Sequence, residues 1–192
     1  MRLFLAINLE PTVRRAVMEA TTALRDVAPT LNWVDEARLH LTLKLLGESA
    51  EDIMPSLSRS IDQVVGRHRP FSMQLGEIGA FPNFRHARVV WMGIEREPRL
   101  ELLHHDVELA SEKNGFEVEG RAFRPHLTLA RVKDRAELGE LRVLSRASKQ
   151  VDFQVERMVR SVDLMKSVTI GGSAGSPGSR YECLHAAPLR PH

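Results

Sequence analysis

Cysteine is nearly absent from these 192 residues: Cys183 stands alone, which excludes an internal disulfide and a cysteine-based zinc site. A lone cysteine fits a reducing cytoplasm, and the expectation for its side chain is burial as a small apolar group. No apolar run approaches the length needed to cross a bilayer. The longest near the start, Leu3-Phe4-Leu5-Ala6-Ile7, stops at Asn8 and Glu10, shorter than a signal-peptide core and better read as a first strand. A strong charge excess is also missing, because 27 Lys and Arg against 25 Asp and Glu leave a formal net charge of +2. That balance gives no broad electrostatic grip on duplex nucleic acid but leaves room for a local basic cleft. Acidic or basic tails and low-complexity stretches are absent too, so the chain reads as one folded unit.

The patterning divides into two similar passes, roughly 1–97 and 98–192. In the first, apolar residues at Val13, Val17, Ala20, Leu24 and Val27 predict a helix opened by Pro11, and Ile53, Leu57, Ile61 and Val64 predict another. Strands are predicted at Leu31 to Val34, Leu39 to Leu45, Phe71 to Leu75 and His86 to Ile94. In the second, Leu100, Leu103, Val107 and Ala110 predict a helix that Gly115 stops, and Leu138, Leu141 and Leu144 another opened by Asp134. Strands follow at Phe116 to Val118, His126 to Val132, Phe153 to Leu164 and Tyr181 to Ala186, the last two joined by a Gly/Ser-rich loop at 171–178. Period-two alternation and short connections favour antiparallel sheets and an α+β class.

One tetrapeptide occurs in each pass: His40-Leu41-Thr42-Leu43 and His126-Leu127-Thr128-Leu129. Strand side chains alternate between faces, so each His shares a face with its Thr while both leucines anchor the other. Two imidazoles, with an ordinary pKa near 6.5, can serve as base and acid together at neutral pH. Two threonine hydroxyls can donate to non-bridging phosphate oxygens. This suits opening of a cyclic phosphodiester, in which water loses a proton and the leaving ribose oxygen gains one, with no metal and no cofactor. Arg131 offers a planar bidentate donor for phosphate. Lys44 shares the His40 face if its strand stays regular, while Phe81 and Phe84 are either base-stacking or packing residues, with packing favoured. His104 and His105 are adjacent on a helix, cannot form a spaced metal pair, and are expected to be solvated.

Both tetrapeptides match the His-x-Thr-x signature of the two-histidine phosphoesterase superfamily. The wider sequence resembles its RNA 2′,3′-cyclic phosphodiesterase branch, historically called 2′-5′ RNA ligase. The resemblance spans Met1-Arg2-Leu3-Phe4, Leu39 to Lys44 with Leu46-Gly47, Gly79-Ala80-Phe81-Pro82, Phe123 to Arg131, and Arg180-Tyr181-Glu182. It implies a single two-lobed domain over 1–192 with pseudo-two-fold symmetry, two antiparallel sheets flanked by helices around a central cleft. It further implies conversion of an RNA-terminal 2′,3′-cyclic phosphate to a 2′-phosphate, with reverse 2′-5′ joining as a secondary activity. His40 would be the proton donor, His126 the acceptor, and Arg131 a phosphate ligand. RNA ends are the implied partner of a cytoplasmic monomer that is not membrane-bound. Departing from the family pattern, the 171–178 loop looks longer than usual. Small-nucleotide hydrolysis by the same centre, or a non-catalytic RNA-end or nucleotide-binding module, are the alternative readings.

Overall fold

The computed structural model describes residues 1–132, 138–170 and 178–190. In chain order they form β1 (Arg2–Asn8), α1 (Pro11–Ala20), α2 (Thr22–Val27), β2 (Asn32–Trp33), β3 (His40–Glu48), α3 (Met54–Val65), β4 (Phe71–Phe81) and β5 (Val89–Ile94). Then come α4 (Pro98–Glu112), β6 (His126–Arg131), α5 (Leu138–Ser148), β7 (Val155–Val159), β8 (Ser161–Ile170) and β9 (Gly178–Pro188). The strands form an antiparallel sheet in the order β7-β4-β5-β6-β3-β1-β8-β9, with β2 pairing separately with β6. The fold is thus α+β. None of the described helices is long and apolar enough to cross a membrane.

β1 is apolar on both faces, which explains why its sequence does not alternate. Leu3, Leu5 and Ile7 enter the main core, whereas Phe4 and Ala6 join Met165 and Tyr181 in a small cluster on the opposite face. At the centre, β3 and β6 meet through Leu41 opposite Leu127, both fully buried. Burying a leucine contributes about 2 kcal/mol, so each tetrapeptide is anchored by the residue beside its histidine.

Several elements differ from the sequence expectation. The first helix breaks at Thr21, whose hydroxyl donates to the Val17 carbonyl at 2.8 Å and whose backbone leaves the helical region, separating α1 from α2. The expected strand at Leu31 to Val34 contracts to β2. No strand forms at Phe116 to Val118; the Glu117 carbonyl instead accepts from the buried Lys44 side chain, and the next residue but one, Glu119, donates its N–H to Glu108. The Phe153 to Leu164 stretch is not one strand, since the chain breaks at Arg160 and sends β7 and β8 to different parts of the sheet. Gly115 does take a positive φ of 88°, three residues past α4, a conformation in which a Cβ would be strained. Asp134 and the loop residues 171–177 lie outside the described residues. Cys183 is exposed rather than buried, on β9 at the end of the described sheet order.

Candidate active site

Antiparallel pairing at Leu41 and Leu127 implies that His40 lies beside Thr128 and Thr42 beside His126, on the face opposite the leucines. His40, Thr42, Thr128 and Arg131 line one cavity of about 500 Å³. His126 is not part of that wall; its ring stands at the margin against Phe81 and Trp91, with centroids 5.1 and 6.4 Å away. A more open trough of about 720 Å³ along α3, lined by Arg59, Asp62, Arg67 and Arg190 among others, contains no histidine. Size alone therefore does not locate the paired chemistry.

The two imidazoles are held alike. His40 Nδ1 lies 2.7 Å from the Arg38 carbonyl, and His126 Nδ1 lies 2.6 Å from the Arg124 carbonyl, each two residues upstream. A carbonyl only accepts, so Nδ1 must carry the proton in both rings and Nε2 is left as the working atom. His40 Nε2 sits 3.1 Å from Thr42 Oγ1, which donates to it when the ring is neutral. Aromatic rings flank each histidine. Phe4 and Tyr181 have centroids 5.1 and 5.2 Å from His40, matching the enclosure of His126 by Phe81 and Trp91. Phe81 is thus a packing residue of the site, and Phe84 packs partly buried against the main core.

Glycine makes room for the second enclosure. Gly79 is opposite Trp91 in the β4–β5 register, and a Cβ there would meet the indole at 2.2 Å. Gly93, opposite His126, would place a Cβ 3.0 Å from the same ring. The indole therefore occupies space over both glycines, tilted at 56° to the His126 ring.

Electrostatics distinguish His40. Burial pushes its pKa below the ordinary imidazole value; the Arg38 carbonyl bond opposes this, while the charges of Arg14, Arg131 and Arg38 push it lower. In the free protein, His40 is therefore biased toward its neutral form. Sequence reasoning missed Arg2, Arg38 and Tyr181 as cleft residues. Arg2 lies two positions from Phe4, so strand alternation held the signal for it once the cleft face was known.

Lys44 does not join the cleft. The β1–β3 register slips at two places: Phe4 pairs with Leu45 directly after Leu3 pairs with Gly47, and Ala6 pairs with Thr42 directly after Leu5 pairs with Lys44. Leu43 and Lys44 are consequently both buried, and Leu45 emerges into the cavity at 67% exposure. Lys44 Nζ instead donates to Glu108 Oε2 at 2.8 Å and to the Glu117 carbonyl at 2.7 Å. His104 also departs from expectation: its ring stacks on Phe123, with centroids 3.8 Å apart and planes 10° apart, rather than standing in solvent. Among the described residues, no cluster of three or more His, Cys, Asp or Glu side chains forms a metal site.

Two tautomer-matched histidines on adjacent antiparallel strands, each with a threonine two residues on, define the two-histidine phosphoesterase class. The chain belongs to the 2′-5′ RNA ligase superfamily, whose family model matches residues 9–169. It is 32% identical over 143 residues to the RNA 2′,3′-cyclic phosphodiesterase of Methanothermobacter thermautotrophicus, covering 73% of this chain and 77% of that one. The crystal structure of TT0787 from Thermus thermophilus superposes with a TM-score of 0.80 at 30% identity, covering 99% of this chain and 98% of that one. E. coli LigT complexed with 3′-AMP superposes with a TM-score of 0.72 at 25% identity, covering 98% and 97%.

Proposed function

We propose that this chain hydrolyses RNA ends bearing a 2′,3′-cyclic phosphate to 2′-phosphates, using His126 as the base and His40 as the acid. His126 Nε2 takes a proton from the attacking water. As the new P–O bond forms, the P–O3′ bond breaks and His40 Nε2–H delivers a proton to the departing O3′. Thr42 and Thr128 donate to the non-bridging oxygens, and Arg131 balances their charge. No step calls on a metal. In 2′-5′ joining an RNA 5′-hydroxyl takes the place of water: His126 removes its proton as the P–O5′ bond forms, the P–O3′ bond breaks and His40 protonates the departing O3′, so acid and base keep their roles.

The observation that carries this reading is the matched pair of Nδ1–carbonyl hydrogen bonds, which leaves two Nε2 atoms available for opposite proton transfers. The similarity to RNA 2′,3′-cyclic phosphodiesterases supports the substrate. A two-lobed domain with pseudo-two-fold symmetry follows from the same reading. It is supported by a strand order that runs outward from the Leu41–Leu127 pair through four strands on either side.

The test is to incubate purified protein with a short RNA ending in 2′,3′-cyclic phosphate, in the presence of chelator, and resolve 2′- from 3′-phosphate products. Accumulation of the 2′-phosphate is expected, and His40→Ala and His126→Ala should each lower turnover by about 10² to 10⁴. Binding without turnover would leave the non-catalytic reading standing. A 3′-phosphate product would reject the assigned leaving group.

A further inference from the structure

The cavity extends beyond the groups needed to open a cyclic phosphate. Along β1, alternate residues face the cleft, and the His40 ring rests on Phe4. Two residues further, about 6.8 Å along the strand, Arg2 reaches the same cavity from an exposed position. The register places Ser167 opposite Arg2 on β8 and Tyr181 opposite Ser167 on β9, forming one row across three strands. Ser179, two residues before Tyr181 on β9, also lines the cavity. The adjacent row is apolar: Phe4 pairs with Leu45, which the bulge in β3 turns outward.

From the histidine centre outward, the cleft therefore presents a cationic and hydroxyl-bearing end with Arg131 and the threonines, then an apolar step at Phe4 and Leu45. A second cationic and hydroxyl-bearing step follows at Arg2, Ser167 and Ser179. That alternation matches phosphate, nucleoside, phosphate along a single strand. The one carboxylate directly opposite Arg2, Glu48 on β3, is engaged with the Met1 amino group, its Oε2 lying 3.5 Å away.

We propose that Arg2, with the hydroxyls of Ser167 and Ser179, forms a second anion subsite that binds the phosphodiester on the 5′ side of the terminal nucleotide. The preferred substrate is then an oligonucleotide end rather than a nucleoside cyclic phosphate. The inference rests on the proposed hydrolysis and assigns the substrate's length requirement to residues outside the proton-transfer machinery.

The experiment compares kcat/KM for a nucleoside 2′,3′-cyclic phosphate with that for the dinucleotide ending in the same cyclic nucleotide, at low salt. The native protein should favour the dinucleotide by about ten- to a hundredfold, the range expected for a charge-assisted contact. Arg2→Gln should collapse that ratio toward one. A dinucleotide with a neutral methylphosphonate linkage should lose the same factor in the native protein and nothing further in the variant. Affinities for the 2′-phosphorylated dinucleotide and mononucleotide products, measured by calorimetry, read the subsite independently of turnover and should show the same collapse. Equal ratios in native protein and Arg2→Gln, or a full preference for the methylphosphonate dinucleotide, would overturn the subsite. Absence of turnover on every substrate, with the product affinities still differing and still sensitive to Arg2, would reject the hydrolytic reading while upholding the subsite.

Discussion

Replacing Glu108 by alanine removes the carboxylate from a pair whose side chains are 4% and 6% exposed, leaving the Lys44 ammonium buried with only the Glu117 carbonyl. Glu108 Oε2 also accepts from the Glu119 backbone N–H at 3.1 Å, so a second donor loses its partner. An uncompensated buried charge costs about 3–5 kcal/mol, and in a domain of this size each kcal/mol lowers Tm by about 2–4 °C. Glu108→Ala should therefore depress Tm by about 6–20 °C, read by thermal unfolding and checked by urea titration. Lys44→Met combined with Glu108→Leu removes both charges and should be more stable than Glu108→Ala, despite orphaning the Glu117 carbonyl and the Glu119 amide at about 1–3 kcal/mol each. The cycle built from Lys44→Met, Glu108→Leu and the two together should return a coupling of about 2 kcal/mol. A Glu108→Ala cost below about 1 kcal/mol, or a cycle that sums to zero, would show that water reaches the pair and that its burial does not set its energy.

Gly79→Ala drives a methyl into the Trp91 indole and should lower kcat on the order of 10²-fold by displacing the ring beside His126; near-native kcat would show that the indole does not position that imidazole. Thr128→Val removes a hydroxyl from the cavity wall and should reduce kcat by about 10²-fold with Tm little changed. A fall in Tm alone would assign Thr128 to the fold instead.

What the sequence made legible was local and periodic. Helix stripes such as Leu57 and Ile61 face the core, and each His-x-Thr pair shares the face opposite its leucines, because period-two alternation holds over three residues. Alternation failed where pairing partners imposed a register. In isolation Lys44 reads as a cleft residue, and only the slips against β1 turn it toward Glu108. The segment after Gly115 resembles a strand, yet its backbone bonds to the side chains of Glu108, on the preceding helix, and Lys44, distant in sequence. Break points differed: Thr21 interrupts a helical pattern that continues on both sides, whereas the consecutive polar residues Arg160 and Ser161 shift the apolar alternation from Val155 and Val159 to Val162 and Leu164, a local mark of the break that the sequence does carry. Cys183 is exposed on a terminal strand of the sheet path, a placement that composition does not encode.

The protonation of His40 connects the cleft's arginines to its chemistry. Burial and the charges of Arg14, Arg131 and Arg38 hold its pKa below the ordinary imidazole value, so above about pH 6.5 the free enzyme carries mostly the neutral ring. If His40 is the proton donor, as proposed, that state is idle until an anion arrives. If the cleft takes a phosphodiester as proposed, that anion offsets the repulsion from these arginines and favours the imidazolium, so substrate itself should charge the acid. In His126→Ala, where loss of the base no longer shapes the profile, kcat/KM should fall as pH rises, with its midpoint below about 6.5, because it reports His40 in the free enzyme. The corresponding fall in kcat should lie at higher pH, because it reports His40 beside bound phosphate. In His40→Ala the alkaline fall should vanish while the acidic one, from protonation of the base, remains. Profiles of kcat and kcat/KM for both variants on one cyclic-phosphate RNA decide the matter. An alkaline fall that persists in His40→Ala and disappears in His126→Ala would exchange donor and acceptor. A kcat/KM midpoint well above 6.5 in His126→Ala would show that burial and the three arginines do not govern the acid.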